Sequence, residues 1–344
     1  MPAKPVIVLD PHPRRVADIL RPERLAELRD AAELVVHDDG AGPMPDERLD
    51  GLLPDATLML GQGAMPAARL DRAARLRGII NVETNFLPNI DYEECFRRGI
   101  HVLTPGSAFA PVVAETALGM AIDLARGITD ADRRFRDGAE RWGLDGNEGC
   151  FSLRGAPVGI VGYGDLGRAL HRLLQPFGCD VAVHDPWLPS YLLRREGMEP
   201  LPLDALLRRS RVVFVFAGVS TENRHFLGAD QFALMQRGSV FLLMSRAAVV
   251  DFPAMLQQAE TGHLRIGTDV FPEEPVAADD PLRRLPNLLL SAHRAGAMPE
   301  ALLDIGDQAV ADALLMLQGL PPVVCRRAQK ETVARARSAP ISRS

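Results

Sequence analysis

An α/β fold with two parallel-sheet domains is the architecture this sequence predicts. Short apolar runs alternate with amphipathic stretches along most of the chain, the pattern of strands and helices taken in turn. The runs of the second half are almost unbroken Val, Leu and Phe, as strands covered on both faces require. Its 344 residues suffice for about two cores of ~150 residues each.

In the first hundred residues, 6–9, 34–36, 57–60, 78–81 and 100–103 read as five short strands of a small parallel α/β domain. Residues 14–29 are apolar at Val16, Ile19, Leu20, Leu25 and Leu28, with Pro22 interrupting or starting a helix. Further helices fit at 49–53, 66–74 and 91–98. Pro105-Gly106-Ser107 breaks the pattern, and 112–128 follows as one long helix with Gly127 near its end. Residues 130–149 are charged and glycine-rich, and read as a loop or partly helical arm with Trp142 as a packing anchor.

Residues 158–161 run directly into Gly162, Gly164 and Gly167, a G-x-G-x-x-G that opens a helix; a second apolar run, 181–184, ends in Asp185. The first glycine permits a tight turn, the second lets backbone approach a pyrophosphate, and the third lets the helix pack against the strand. The helix N-terminus adds free N–H groups and a positive dipole end. Asp185, 18 residues after Gly167, stands where an acid accepts hydrogen bonds from the adenosine ribose hydroxyls. With no Arg or Lys in 184–189 to favour a 2′-phosphate, NAD is expected over NADP. Strands then recur at 211–217, 239–244, 264–270 and 287–292, with helices at 203–209, 230–236, 253–260 and 280–285. Counting from Val158 gives six strands, the number of a complete dinucleotide-binding sheet. Residues 300–317 make a last amphipathic helix, and the basic Ala/Ser/Arg-rich stretch 329–344 is expected to be disordered.

A net charge of −6 and a pI near 5.8 give no electrostatic case for nucleic acid or an anionic membrane. The longest apolar runs fall short of the ~18–20 residues that span a bilayer, and the N-terminus reads as a strand, not a signal peptide. Cys95, Cys150, Cys179 and Cys325 are scattered with no C-x-x-C. Free thiols in a reducing cytoplasm are therefore expected, with neither a metal site nor a disulfide framework.

In an open parallel sheet, chemistry sits at the carboxyl ends of the strands. Arg246, Glu274 and His293 lie at or just past such ends. Arg offers a planar fork for a carboxylate. His moves protons near neutral pH, and a carboxylate beside it orients the ring. Singly, each residue has a plainer use as a surface ion pair, a solvated acid or an exposed imidazole.

Four motifs, V161-G-Y-G-D-L-G, M244-S-R-A-A-V-V-D, T268-D-V-F-P-E-E-P and S291-A-H-R-A-G, resemble in order and spacing the D-isomer-specific 2-hydroxyacid dehydrogenase family. The resemblance spans the chain apart from the tail. It implies a six-stranded Rossmann NAD-binding domain (105–294) inserted in a smaller flavodoxin-like substrate domain (1–104 with 295–328). It implies an enzyme that interconverts a small D-2-hydroxy acid and its 2-keto acid. Arg246 would bind the substrate carboxylate and polarise the keto oxygen, His293 would be the acid/base, and Glu274 its partner. Formate dehydrogenases of this fold have Gln where Glu274 stands. Asp269 would contact the nicotinamide carboxamide, Asp165 and Leu166 would cradle the pyrophosphate, and Ser220, Ser245 and Gly296 would be further cofactor contacts. A homodimer through the 112–128 helix and the following arm is also implied.

The sequence departs from the family in places. A glycine-rich substrate loop is replaced by N81-V-E-T-N-F-L-P-N-I-D, where Asn85, Phe86 and Asn89 either recognise the substrate or pack and cap the loop. Ala247 stands where Gly is favoured, Leu243 where Asn is usual, and F216-A-G-V-S replaces an H-x-P-L-T-like run. Arg294 follows His293 where small or aliphatic residues are common. It would suit a hydroxyalkyl phosphonate or another doubly anionic substrate, or be a surface residue. A corepressor-like protein that senses NAD without catalysis is the reading from another class; intact Arg246, Glu274 and His293 weigh against it.

Overall fold

The computed structural model describes residues 4–38, 40, 42–83, 85–220 and 222–334. The chain divides into two units, one holding the residues up to Phe109 and from Ala297 on, the other Ala110–Gly296.

In the first unit, β1 (Val6–Asp10), β2 (Glu33–Val36), β3 (Ala56–Gly61), β4 (Gly78–Ile80) and β5 (His101–Thr104) are parallel. They lie in the flavodoxin-like order β2-β1-β3-β4-β5. Alternation along each strand serves two cores. Ile7, Leu9, Leu58, Leu60 and Ile80 face one cluster; Val8, Met59, Ile79 and Val102 face the other. The first cluster is closed by Ile305, Ala309, Val310, Ala313 and Met316 of the helix Pro299–Leu317. That helix comes so near that a Cβ on Gly306 would lie 1.8 Å from the Ile19 carbonyl oxygen. Residues 14–29 split into helices Val16–Ile19 and Pro22–Ala31, with Pro22 at the first helical position, where its missing N–H costs nothing.

The second unit carries β6 (Pro157–Val161), β7 (Asp180–His184), β8 (Glu199–Pro200), β9 (Val212–Val215), β10 (Ser239–Leu243), β11 (Leu264–Thr268) and β12 (Leu288–Leu290). All pair in parallel, in the order β12-β11-β10-β9-β6-β7-β8. This is the Rossmann order with one strand more than the six expected. The addition is β8, two residues long and ending in Pro200, an edge position that proline tolerates but too short for any hydrophobic period to reveal. Leu243, the residue where Asn is usual, is fully buried in this unit's core cluster.

The long helix runs Ala110–Arg126 and stops at Gly127, whose φ of +64° lets the chain turn into a separate helix, Ile128–Arg136. The arm is therefore partly helical, one of the two forms expected of it. By length and composition alone, 106–126 could cross a membrane. It exceeds the apolar length expected, but its buried face, including Val113, Ala117, Met120 and Leu124, packs on β10, β11 and the helix Asp165–Leu174. The boundary between units falls after the 3-10 turn Gly106–Phe109 instead of before it, because that turn packs on Pro299–Leu317. The segment 280–285 is a 3-10 turn, Pro281–Arg284.

The first unit ends with β13 (Arg326–Arg327), antiparallel to β5. The disorder expected from residue 329 does not hold for 329–334. Thr332 and Val333 donate backbone hydrogen bonds to the Gln329 carbonyl, and Val333 packs on the first unit's core. Residues 335–344 lie outside the described residues.

Candidate active site

Three glycines shape the turn after β6, each in its own way. Gly162 has φ +88°, and a Cβ there would lie 2.6 Å from the Ala217 nitrogen, at the crevice between β6 and β9 where the strand order reverses. A Cβ on Gly167 would lie 2.9 Å from the Gly162 carbonyl oxygen, so helix and turn touch. Around Gly164 nothing lies within 4 Å of that position, which leaves the backbone open to an approaching group. The first helical bond of Asp165–Leu174 runs from the Arg168 N–H to the Gly164 carbonyl. The N–H groups of Asp165, Leu166 and Gly167 therefore have no partner within the helix, and an anion can take them.

Asp185 directly follows β7 and accepts the Tyr163 N–H at 2.8 Å on one oxygen and the Trp187 N–H at 2.9 Å on the other. Each oxygen keeps acceptor capacity for a hydroxyl. An open turn, free helix N–H groups and a fixed acid match the pyrophosphate and ribose of a dinucleotide in shape and in charge.

The other residues arrive on three neighbouring strands, β10, β11 and β12, at one carboxyl edge. Past β10 come Ser245, buried, and Arg246, which donates to the Ser245 carbonyl at 2.7 Å. Burial pulls the Arg246 guanidinium below its ordinary pKa, opposed by the Glu274 carboxylate, and it stays cationic. Past β11, buried Asp269 accepts the Arg294 and Ala295 N–H groups at 3.0 and 3.1 Å. In the next turn Glu274 accepts the Phe271 N–H at 2.9 Å on one oxygen and faces His293 Nδ1 at 2.6 Å with the other. His293 has φ +48°, a left-handed backbone that a non-glycine residue adopts only where its surroundings impose it. Asp269 clamps the two residues that follow His293. A carboxylate on Nδ1 fixes the orientation of the ring and leaves Nε2 to other groups.

Ser220 is buried past β9, and its hydroxyl accepts the Glu222 N–H at 3.3 Å. Gly296 closes the second unit, and Arg294 is exposed. Asn85, Phe86 and Asn89 belong to the first unit. Phe86 packs edge-on to Tyr92 at 6.3 Å, and Asn89 donates to the Gln62 carbonyl at 2.7 Å. Both bind the loop to its own unit. The sequence reading missed Arg14, Gln62 and Glu83 beside them. The Glu83 N–H donates to Asn81 and Gln62 side-chain oxygens, and Glu83 pairs with Arg14 at 3.1 Å. Gln62 and Arg14 lie about 20 and 70 positions from Glu83, so no local motif marks them.

Residues 118–295, more than half of the chain, match the family model described as "D-isomer specific 2-hydroxyacid dehydrogenase, NAD binding domain". The chain belongs to this family. Among the dehydrogenases it resembles is a phosphoglycerate oxidoreductase from Rhizobium etli, whose crystal structure is 44% identical in sequence. It aligns with a TM-score of 0.87 over 96% of this chain and 100% of that one. A glyoxylate reductase of Korarchaeum cryptofilum is 28% identical over 88% of this chain and 92% of its own length. A D-3-phosphoglycerate dehydrogenase of Methanocaldococcus jannaschii is 26% identical over 83% of this chain and 54% of its own length. As a 2-hydroxyacid dehydrogenase the protein is an NAD-dependent oxidoreductase acting on CH–OH groups.

Proposed function

We propose that the protein interconverts a small D-2-hydroxy acid and its 2-keto acid, with His293 as acid/base, Glu274 as its orienting partner and Arg246 as the carboxylate anchor. The observation that carries this reading is the 2.6 Å His293–Glu274 pair on the same sheet edge as the partly buried Arg246 guanidinium. NAD supplies or accepts the hydride when bound. In the reductive direction protonated His293 donates to the carbonyl oxygen as the hydroxyl forms. Arg246 holds the carboxylate in two-point contact and stabilises charge developing on that oxygen. In the oxidative direction neutral His293 takes the hydroxyl proton. Asp165, Leu166, Gly167 and Asp185 would hold the cofactor, with Ser220, Ser245, Asp269 and Gly296 around it. Asp269 would do so while bracing the His293 turn.

The R. etli relative is named for phosphoglycerate, a hydroxy acid with a second anion, and exposed Arg294 beside His293 suits such a substrate. The test is NADH oxidation with glyoxylate and phosphohydroxypyruvate, and NAD reduction with 3-phosphoglycerate. His293→Ala should cost about a hundred- to ten-thousand-fold in kcat, and Arg294→Ala should weaken only the phosphorylated substrates. NADH binding with no turnover on any of them would refute the catalytic reading in favour of a sensor.

We further infer a homodimer built through the arm after Arg126. Ile128, Phe135, Trp142 and Leu144 are exposed there, whereas the helix before it spends its apolar face inside its own unit.

A further inference from the structure

Between the first two glycines of the cofactor turn stands Tyr163, 2% exposed. Its hydroxyl donates to Glu196 Oε2 at 2.7 Å and lies 3.0 Å from His171 Nδ1. Gln175 Nε2 lies 2.7 Å from His171 Nε2, and an amide nitrogen can only donate there. His171 Nε2 is therefore the acceptor, Nδ1 carries the proton, and that proton goes to the Tyr163 oxygen. Arg168 donates to the other Glu196 oxygen at 3.0 Å and lies 4.9 Å over the Tyr163 ring. None of the buried side-chain polar atoms of the cluster lacks a partner.

This cluster joins three pieces of the cofactor site. Tyr163 is in the turn that would face the pyrophosphate. His171 and Arg168 are on the helix whose N-terminus faces it. Glu196 follows the helix Ser190–Arg195, beyond Asp185 on the same connection out of β7. Asp185 in turn receives the Tyr163 backbone N–H. A turn with glycine on both sides of one residue is entropically costly to hold still, and only a fixed turn keeps Asp185 in register with the helix N–H groups.

We propose that Tyr163 is a positioning residue for the dinucleotide: its buried hydroxyl, bonded to Glu196 and His171, locks the glycine turn and Asp185 into the geometry that binds NADH and rejects NADPH. The side chain touches no cofactor atom on this reading and acts through its own backbone. The proposal rests on the cofactor assignment and not on the substrate.

The test is a double-mutant cycle on the full chain, with NADH and NADPH affinities measured by fluorescence titration and thermal stability measured alongside. Tyr163→Phe should weaken NADH by about tenfold, the scale of one hydrogen bond to a charged partner, and narrow the preference over NADPH. Glu196→Gln should weaken NADH as well. Because both act through one bond, the double variant should lose no more NADH affinity than Tyr163→Phe alone. Unchanged NADH affinity in Tyr163→Phe beside a lower Tm would make the cluster merely structural and overturn the proposal. So would additive losses in the double variant. If Tyr163→Phe fails to fold, His171→Leu against His171→Asn reads the same link, since Asn keeps a donor at the Nδ1 position. Equal NADH affinities for that pair would overturn the proposal. Wild-type protein that binds no NADH would instead fail the cofactor assignment itself.

Discussion

His171 shows how one buried side chain ties stability to acidity. Burial holds its imidazole below its ordinary pKa. The unfolded chain therefore takes up a proton first, as pH falls through about 6.5. Stability is full above that value and drains away below it until the folded imidazole also protonates. Glu196, held low chiefly by the Tyr163 hydroxyl bond, adds loss of the same sign at lower pH. His101 is also lowered by burial and sits in the first unit, so it stays as a background in any variant of His171. The urea midpoint of the second unit should drop between pH 7.5 and 5.5 in the wild type and drop less in His171→Asn. Equal drops would sink this account. The glycines and Asp185 were legible in the sequence because a tight strand-to-helix turn and an acid after the next strand fall at a fixed spacing. The Tyr163 cluster was not, because its members lie 4, 8 and 33 positions apart and meet only in the folded sheet.

At the scale of elements, strands buried on both faces announced themselves as apolar runs, whereas the arm left loop and helix both open. Ile128–Arg136 is dominated by charge, with Arg133 and Arg134 on Asp130 and Arg136 on Asp132, pairs that hold a helix yet mask its period. Its apolar side is left to Ile128 and Phe135, the latter edge-on to Trp142 at 6.3 Å, both aromatic rings more than half exposed. If a second copy covers this side, Phe135→Ser with Trp142→Ser should convert dimer to monomer in sedimentation while leaving NADH affinity intact. An unaltered sedimentation coefficient would remove the arm from the interface. The two-residue strand β8 escaped notice for a different reason: pairing, not composition, makes it a strand.

For the whole molecule, the sequence made plain both sheets and where the inserted unit lies in the chain, because each glycine and proline break fell between apolar runs. It could not show which distant residues share an edge, as Arg14 and Glu83 do, since nothing local encodes that contact. Each unit has its own buried clusters, and every proposed cofactor contact lies in Ala110–Gly296. NADH at a hundred times its Kd should therefore add about 2.7 kcal/mol to that unit. Calorimetry should resolve two transitions and show NADH raising one of them. A single transition, or equal shifts in both, would contradict independent units.

The helix Pro299–Leu317 completes the first unit's core although it is made after the whole second unit. On a ribosome adding about 5–20 residues per second, the 187 residues from Ala110 to Gly296 (296 − 109) take roughly 10–40 s. Throughout that interval the apolar face of Ile7, Leu9, Leu58 and Leu60 has been synthesised without its cover. By topology the first third of the chain waits for the helix Pro299–Leu317, while the inserted unit can fold as soon as it emerges.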